Sequence, residues 1–362
     1  MNDSLYKLSV LNALKRLWGI EATLSNFSNR PEAALDPNRF RVFELPPSIA
    51  TEEKGWRLYL VRKSGISTLT AMSKLRKALK ARKVAFAGLK DAWGISYQYV
   101  SFMEPREESN YVDLGDVKAW LLEERGPLLL GSHSGNLFRV VLRSKEPKRV
   151  CNNLTMLKFV PGFYGPQRFG IIRPSSHIYG LRAAGREGGW LLREFAYRYP
   201  LEEKRAKLSY EVKALRESKE RVDFWFSLKR VPLVAKDSLQ SYLFNRALSR
   251  VIKKEGLERA TEAEVTVRLG GATIRVSAAR LPSRRLLKSR TLWAEVVREI
   301  CEEEGIRLDM LRPKAPLRPL VFPIDVRLCR AGENEVEVVF CLPPSAYATV
   351  ALMEIAEIDY LL

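Results

Sequence analysis

Apolar and polar residues alternate from Trp56 to Val61 (WRLYLV), the period-two pattern of a half-buried strand. Arg39 to Leu45 (RFRVFEL) reads the same way, with Phe40, Val42 and Glu44 on one face, and Pro46-Pro47 ends it. From Ser67 the period lengthens. Ser67 or Thr68 caps a helix running to about Ala81, whose Leu69, Met72, Leu75 and Leu79 are spaced to face the core. Short apolar runs follow at Val84–Ala87, Tyr97–Phe102 and Leu137–Leu142. The first of these feeds a turn-like Gly88-Leu89-Lys90-Asp91, and Gly135-Asn136 precedes the last. Farther on, Trp190–Leu228 and Leu239–Lys254 read as helix. In the latter, Leu239, Tyr242, Leu243, Val251 and Ile252 are core positions. Ala279–Arg290 reads as a basic loop, and Gly332-Glu333-Asn334 as a hairpin turn before a strand at Glu335–Cys341. A final helix spans Ala346–Ala356, and Met1–Glu21 is amphipathic and helical. Strands dominate the first part and helices come later, which is an α+β arrangement.

Charge sharpens this picture. The 362 residues carry 61 Lys and Arg against 42 Asp and Glu, a net +19 with a pI near 9.8. That excess favours a polyanionic partner, nucleic acid first, because neutralised phosphates release counterions. Length suggests two or three domains, with core enough to fold unaided. Lys74, Arg76, Lys77, Lys80, Arg82 and Lys83 form a basic run that either contacts phosphate or is simply solvated. The longest uncharged run, Val338–Met353, contains two prolines and is short for a bilayer. No secretory signal is visible, so a soluble cytoplasmic protein is expected. Scarce Gln beside abundant Lys, Arg and Glu resembles proteins of hot environments.

Cys151, Cys301, Cys329 and Cys341 lie far apart, and His133 and His177 are the only histidines. This spacing does not suit a zinc site, and free thiols in a reducing compartment are expected. Taken alone, Asp91 reads as a turn or capping residue and Phe138 as a core residue.

In order along the chain come YLVRKSGISTLTA (59–71), GLKD (88–91) with Ser96 and Gln98, GNLFRVVLR (135–143), FYGPQRFG (163–170), LQSYLFN (239–245) and FCLPPSAYATVALMEI (340–355). This series resembles the TruD family of tRNA pseudouridine synthases. The resemblance implies a pseudouridine-synthase catalytic domain, a mixed and largely antiparallel sheet with flanking helices, formed by residues 1–158 and 317–362. The resemblance implies an α+β TRUD domain inserted at 159–316. It also implies isomerisation of a tRNA uridine, at position 13, without cofactor or metal, by a monomer.

The family's catalytic aspartate falls on Asp91. A carboxylate there can stabilise charge at the sugar carbon, bond to it, or take a sugar proton. Asn136 and Phe138 match the Gly-Asn-x-Phe motif, and a flipped base needs a flat side chain and polar contacts. Lys90, Gln98, Gln167 and Arg168 are further substrate-binding candidates. For Arg168 the alternative is a structural network at the domain junction; Gln240, Tyr242 and Asn245 are read as scaffold. Three departures stand out. Ala34 occupies the place of an N-terminal Lys, with Arg30 and Arg39 the nearest cations in sequence. Gly162 stands where Asn is usual, and the segment after LQSYLFN lacks a Gly-Pro-rich stretch. They raise the alternative of a catalytically weak RNA-binding or tRNA-folding protein.

Overall fold

The computed structural model describes residues 15–47, 53–92, 94–107, 109–169, 233–306 and 311–360. The region read as helix at 190–228 and the first fourteen residues lie outside these. Ten strands form one mixed sheet. Its central path runs β13 (Asp325–Ala331), β14 (Glu335–Leu342), β7 (Asn136–Arg143), β1 (Glu32–Glu44), β4 (Ile95–Met103), β2 (Trp56–Ser64), β6 (Val117–Glu124), β5 (Tyr111–Asp113). Strand β3 (Lys83–Phe86) pairs with β4, and β15 (Glu357–Tyr360) with β1. Among the described strands, the β1–β15 and β1–β4 ladders are parallel and the others antiparallel.

Strand β1 starts earlier than its sequence suggests. The strand read from Arg39 extends back to Glu32, with a register shift between Leu35 and Phe40 at Asp36-Pro37-Asn38. Proline has no N–H for the ladder, so the irregularity falls where it sits. The arm before it pairs with β15 and the arm after it with β4.

Paired residues on adjacent strands share a face. Lys63 lies opposite Ser96, Ser96 opposite Val42, Val42 opposite Phe138, and Phe138 opposite Phe340. One step along lie Val61 opposite Gln98, and Glu44 opposite Asn136. Both rows belong to the buried face, where Lys63, Ser96, Gln98, Glu44 and Asn136 are all sealed from solvent.

Helix α1 (Thr68–Ala78) covers one end of that face. Ser67 is its N-cap, accepting from the Thr70 N–H. Thr68, Ala71, Met72 and Leu75 point inward against Tyr59, Val61, Val100 and Phe102. Leu69, expected in the core, is instead 62% exposed. It lies one position off the stripe set by residues 68, 71, 72 and 75, and Thr68 takes the inner place for its hydroxyl. Helices α2 (Pro147–Met156) and α5 (Ala348–Ile355) share a core with Val140, Leu142, Val336 and Val338. That core extends without interruption to α3 (Leu233–Arg250) and α4 (Leu292–Glu303), reaching Phe244 and Trp293. A five-residue π-helical turn, Val251–Glu255, continues α3.

A second sheet is formed by β9 (Ala263–Leu269), β10 (Ala272–Arg280) and β11 (Leu317–Pro319), and a short pair by β8 (Phe159–Pro161) and β12 (Val321–Pro323). The basic segment read as a loop from Ala279 is the end of β10 followed by a 3₁₀ turn at Arg284–Lys288.

The cysteines correct the sequence expectation. Cys301 and Cys341 are free and buried, but Cys151 of α2 and Cys329 of β13 form a disulfide with Cα atoms 5.6 Å apart. Helix α2 packs on β13, so residues 178 apart in sequence meet. Spacing alone cannot show such a long-range pairing. Among the described residues no helix is long and apolar enough to cross a membrane.

Candidate active site

The loop between β3 and β4 carries Lys90 and Asp91, and two side chains, Thr68 of α1 and Lys63 of the sheet face, pin its main chain. The Thr68 hydroxyl accepts from the Lys90 N–H at 2.8 Å. Its own proton faces the Lys90 carbonyl and Gln98 Oε1, each at 3.0 Å. Lys63 Nζ donates to the Asp91 carbonyl and, at 2.9 Å, to that of Ile66. Lys90 Nζ turns back to Glu44 Oε1 at 2.7 Å, while Glu44 Oε2 accepts from the Tyr99 N–H at 2.9 Å. Gly94, in left-handed backbone, closes the loop. A Cβ there would stand 2.6 Å from the Phe40 carbonyl oxygen.

Asp91 retains an exposed surface, yet protein surrounds it on its other sides. Its accessibility follows from the surface and its electrostatics from the surrounding mass. Burial pushes its carboxyl upward from the ordinary carboxylate range, and the Lys63 and Lys90 ammoniums pull it back down. Lys63 shows the reciprocal effect. Burial lowers its ammonium to about 8, opposed by Asp91 and reinforced by Lys90. His133, beside Gly88, is lowered to about 4 by burial and then by Lys90.

A second wall faces this loop. The Tyr347 phenol is pushed up to about 12, first by burial. Arg318 and Arg168 act to lower it, and Tyr164 and Asp91 to raise it. Arg318 is the hub of this wall. Its guanidinium lies 3.7 Å from the Tyr164 ring centre and donates to the carbonyls of Gly162 (2.7 Å), Phe163 (3.2 Å) and Ser345 (3.3 Å). Gly162 is required here. A Cβ would stand 2.0 Å from the Pro319 carbonyl oxygen, so no Asn can occupy this backbone.

The sequence-derived candidates divide between the two walls. Lys90 belongs to Asp91's loop and pairs with Glu44, Gln98 reaches the loop through Thr68, and Asn136 lies opposite Glu44 on β7. Buried Gln98 Nε2, Asn136 Oδ1 and Ser96 Oγ have no hydrogen-bond partner among the described residues. Phe138 is 7% exposed, its ring stacked on Phe340 at 5.6 Å and edge-on to Phe40 at 6.0 Å. Gln167 accepts from Thr349 at 3.0 Å. Arg168 donates to Ser241 (3.1 Å) and pairs with Asp237 (3.6 Å). Gln240, Tyr242 and Asn245 are framework, bonded to Pro282, Glu304 and the Tyr164 and Trp18 backbone.

Neither cation near Ala34 reaches Asp91: Arg30 is paired with Glu357 and Arg39 with Glu335. The residues that sequence reasoning missed are Lys63, Thr68, Glu44, Arg318 and Tyr347. Lys63 carried a signal, a charged residue at an inward position of an alternating strand.

A family model described as tRNA pseudouridine synthase D (TruD) matches residues 35–232. The probable tRNA pseudouridine synthase D of Sulfurisphaera tokodaii is 27% identical over 375 aligned positions, covering 93% of this chain and 94% of that protein. The tRNA pseudouridine synthase D of Syntrophotalea carbinolica is 26% identical, covering 89% and 95%. The crystal structure of the putative tRNA pseudouridine synthase D from Methanosarcina mazei shares the fold. Its TM-score is 0.66 at 19% identity, with 95% of this chain and 98% of that chain covered. With the family model spanning more than half of its length, this chain belongs to the TruD family.

Proposed function

We infer that this protein isomerises a uridine of tRNA, at position 13, to pseudouridine, with Asp91 as the catalytic carboxylate. The observation that carries this reading is an accessible carboxylate on a main chain clamped by Thr68 and Lys63, with two ammonium groups acting on its charge. The reaction breaks the bond between the uracil nitrogen and the sugar carbon. It turns the base and joins its C5 to that carbon; C5 gives up its proton and the freed ring nitrogen gains one, so the product is an isomer of the substrate. An ionised Asp91 serves the electron-poor sugar carbon, which needs no metal or organic cofactor.

The extruded base meets the site through Phe138 and Asn136. Phe138 offers the rim of its packed ring, and the buried Asn136 Oδ1 and Gln98 Nε2 lie behind it on the same sheet face, without a hydrogen-bond partner among the described residues. Lys90, through Glu44, sets the loop that presents Asp91. Gln167 and Arg168 shape the opposite wall from their own networks. We read residues 1–158 and 317–362 as the catalytic domain and 159–316 as the inserted TRUD domain. The protein acts as a monomer and binds tRNA mainly through shape and phosphate contacts, as its +19 charge suits.

The second reading, a tRNA-binding or tRNA-folding protein of weak activity, draws on Ala34 and on the packed state of Phe138. Pseudouridine mapping on unmodified tRNA with wild type and Asp91→Ala separates the two. New pseudouridine with wild type alone supports catalysis. Binding without product supports the second reading.

A further inference from the structure

Lys63 sits at an inward position of β2 and has no solvent-exposed surface. A neutral donor could serve two carbonyls just as well, and an ammonium is costly to bury. What the ammonium adds is charge. Among the described residues no carboxylate forms an ion pair with it; its two partners are the main-chain oxygens of Ile66 and Asp91. The acid whose charge bears on it is Asp91.

The neighbouring cations are otherwise engaged. Lys90 is held by Glu44, Arg30 by Glu357 and Arg39 by Glu335, and residue 34 is alanine. Among the described residues, Lys63 is the cation whose ammonium donates to the Asp91 main chain, while Lys90 acts on the carboxyl from its pair with Glu44.

We propose that Lys63 is the positioning cation of the site, fixing the Asp91 main chain with its ammonium and holding the Asp91 carboxylate in its charged form. It touches no substrate and acts through Asp91. The inference rests on the reading of Asp91 as the catalytic carboxylate. The charged groups that face Lys63 are Asp91 and, with its Glu44 partner, Lys90. Lys63 loses its proton at about 8, so its support fades on the alkaline side.

The test is the pH profile of single-turnover pseudouridine formation on an unmodified tRNA transcript, from about pH 5 to about pH 10. Wild type should show an acid limb from Asp91 and an alkaline fall above about pH 8. In Lys63→Met the acid limb should move upward and the neutral rate fall about tenfold or more, with tRNA affinity unchanged. Lys63→Arg, which keeps its charge at all these values, should restore the neutral rate and remove the alkaline fall.

A Lys63→Met profile lowered equally at every pH, or unchanged, overturns the proposal. If neither variant folds, the wild-type profile decides: a rate that stays flat above pH 8 overturns it, and an alkaline fall supports it. A wild type that makes no pseudouridine overturns the underlying reading and this inference with it. An active wild type with a Lys63-independent profile overturns this inference alone.

Discussion

The hydroxyl of Thr68 serves the amide of Lys90 at 2.8 Å while its proton faces the Lys90 carbonyl at 3.0 Å. One side chain of α1 thereby fixes the residue next to Asp91. Thr68→Val removes the hydroxyl and keeps the shape, leaving the buried Lys90 N–H and Gln98 Oε1 without their partner. Such a loss costs ~1–3 kcal/mol. The expected result is a lower melting temperature and a fall in kcat of about tenfold or more, with tRNA affinity retained. Thr68→Ser should restore both, as read by thermal unfolding and single-turnover kinetics.

Asp91 should be a stability liability at neutral pH. Its carboxyl is raised in the folded protein, chiefly by burial. The folded state therefore holds this proton more tightly than the unfolded one. Stability falls as pH rises through the unfolded and then the folded pKa, and the deficit persists above both. Asp91→Asn should abolish product formation, by at least about a hundredfold, while raising the melting temperature at pH 7. The gain should vanish in acid, where the wild-type carboxyl is protonated too. Melting curves of both proteins across pH check the sign.

His133 works the other way. Its imidazole is lowered to about 4 by burial and by Lys90, against an ordinary value of 6.5. Its neutral form is favoured in the fold, so full stability is present above 6.5 and is lost as pH falls toward 4. The loss amounts to up to ~3 kcal/mol. His133→Leu should flatten the acid side of the stability curve between those values.

The Cys151–Cys329 bridge closes a loop across the entire stretch from α2 to β13. In the chain-entropy account a loop of this length contributes ~5 kcal/mol. Reduction, or Cys151→Ser, should lower the melting temperature clearly, and pseudouridine formation at moderate temperature should persist, because neither cysteine belongs to either wall of the site. A melting temperature insensitive to dithiothreitol would contradict the bridge's contribution.

Gly162→Asn tests a departure visible in the sequence. A side chain at 162 meets the Pro319 carbonyl oxygen at 2.0 Å, and the shift it forces also moves the carbonyl held by Arg318. The variant should lose at least ~2 kcal/mol of stability and disturb the Tyr164–Arg318 stack.

These sites also show what the sequence could convey. Strand β2 was legible because alternation reports a face directly, β4 and β7 because short apolar runs mark them, and the cap at Ser67 because its chemistry is local. The continuity of β1 through Asp36-Pro37 was not, since the same residues serve a turn and a bulge. Nor was the Leu69 side of α1, where Thr68 was needed inside to hold Lys90. Asp91, Asn136, Phe138 and the QRFG turn were found through the order of motifs. Lys63, Arg318 and the disulfide depend on which distant segments meet, and no local pattern encodes that.

The most direct measurement is pseudouridine mapping on unmodified tRNA transcripts incubated with wild type and with Asp91→Ala. The account predicts one new pseudouridine, at position 13, with wild type and none with the variant, both proteins binding tRNA. Product from both proteins, or from neither while binding is intact, would contradict it.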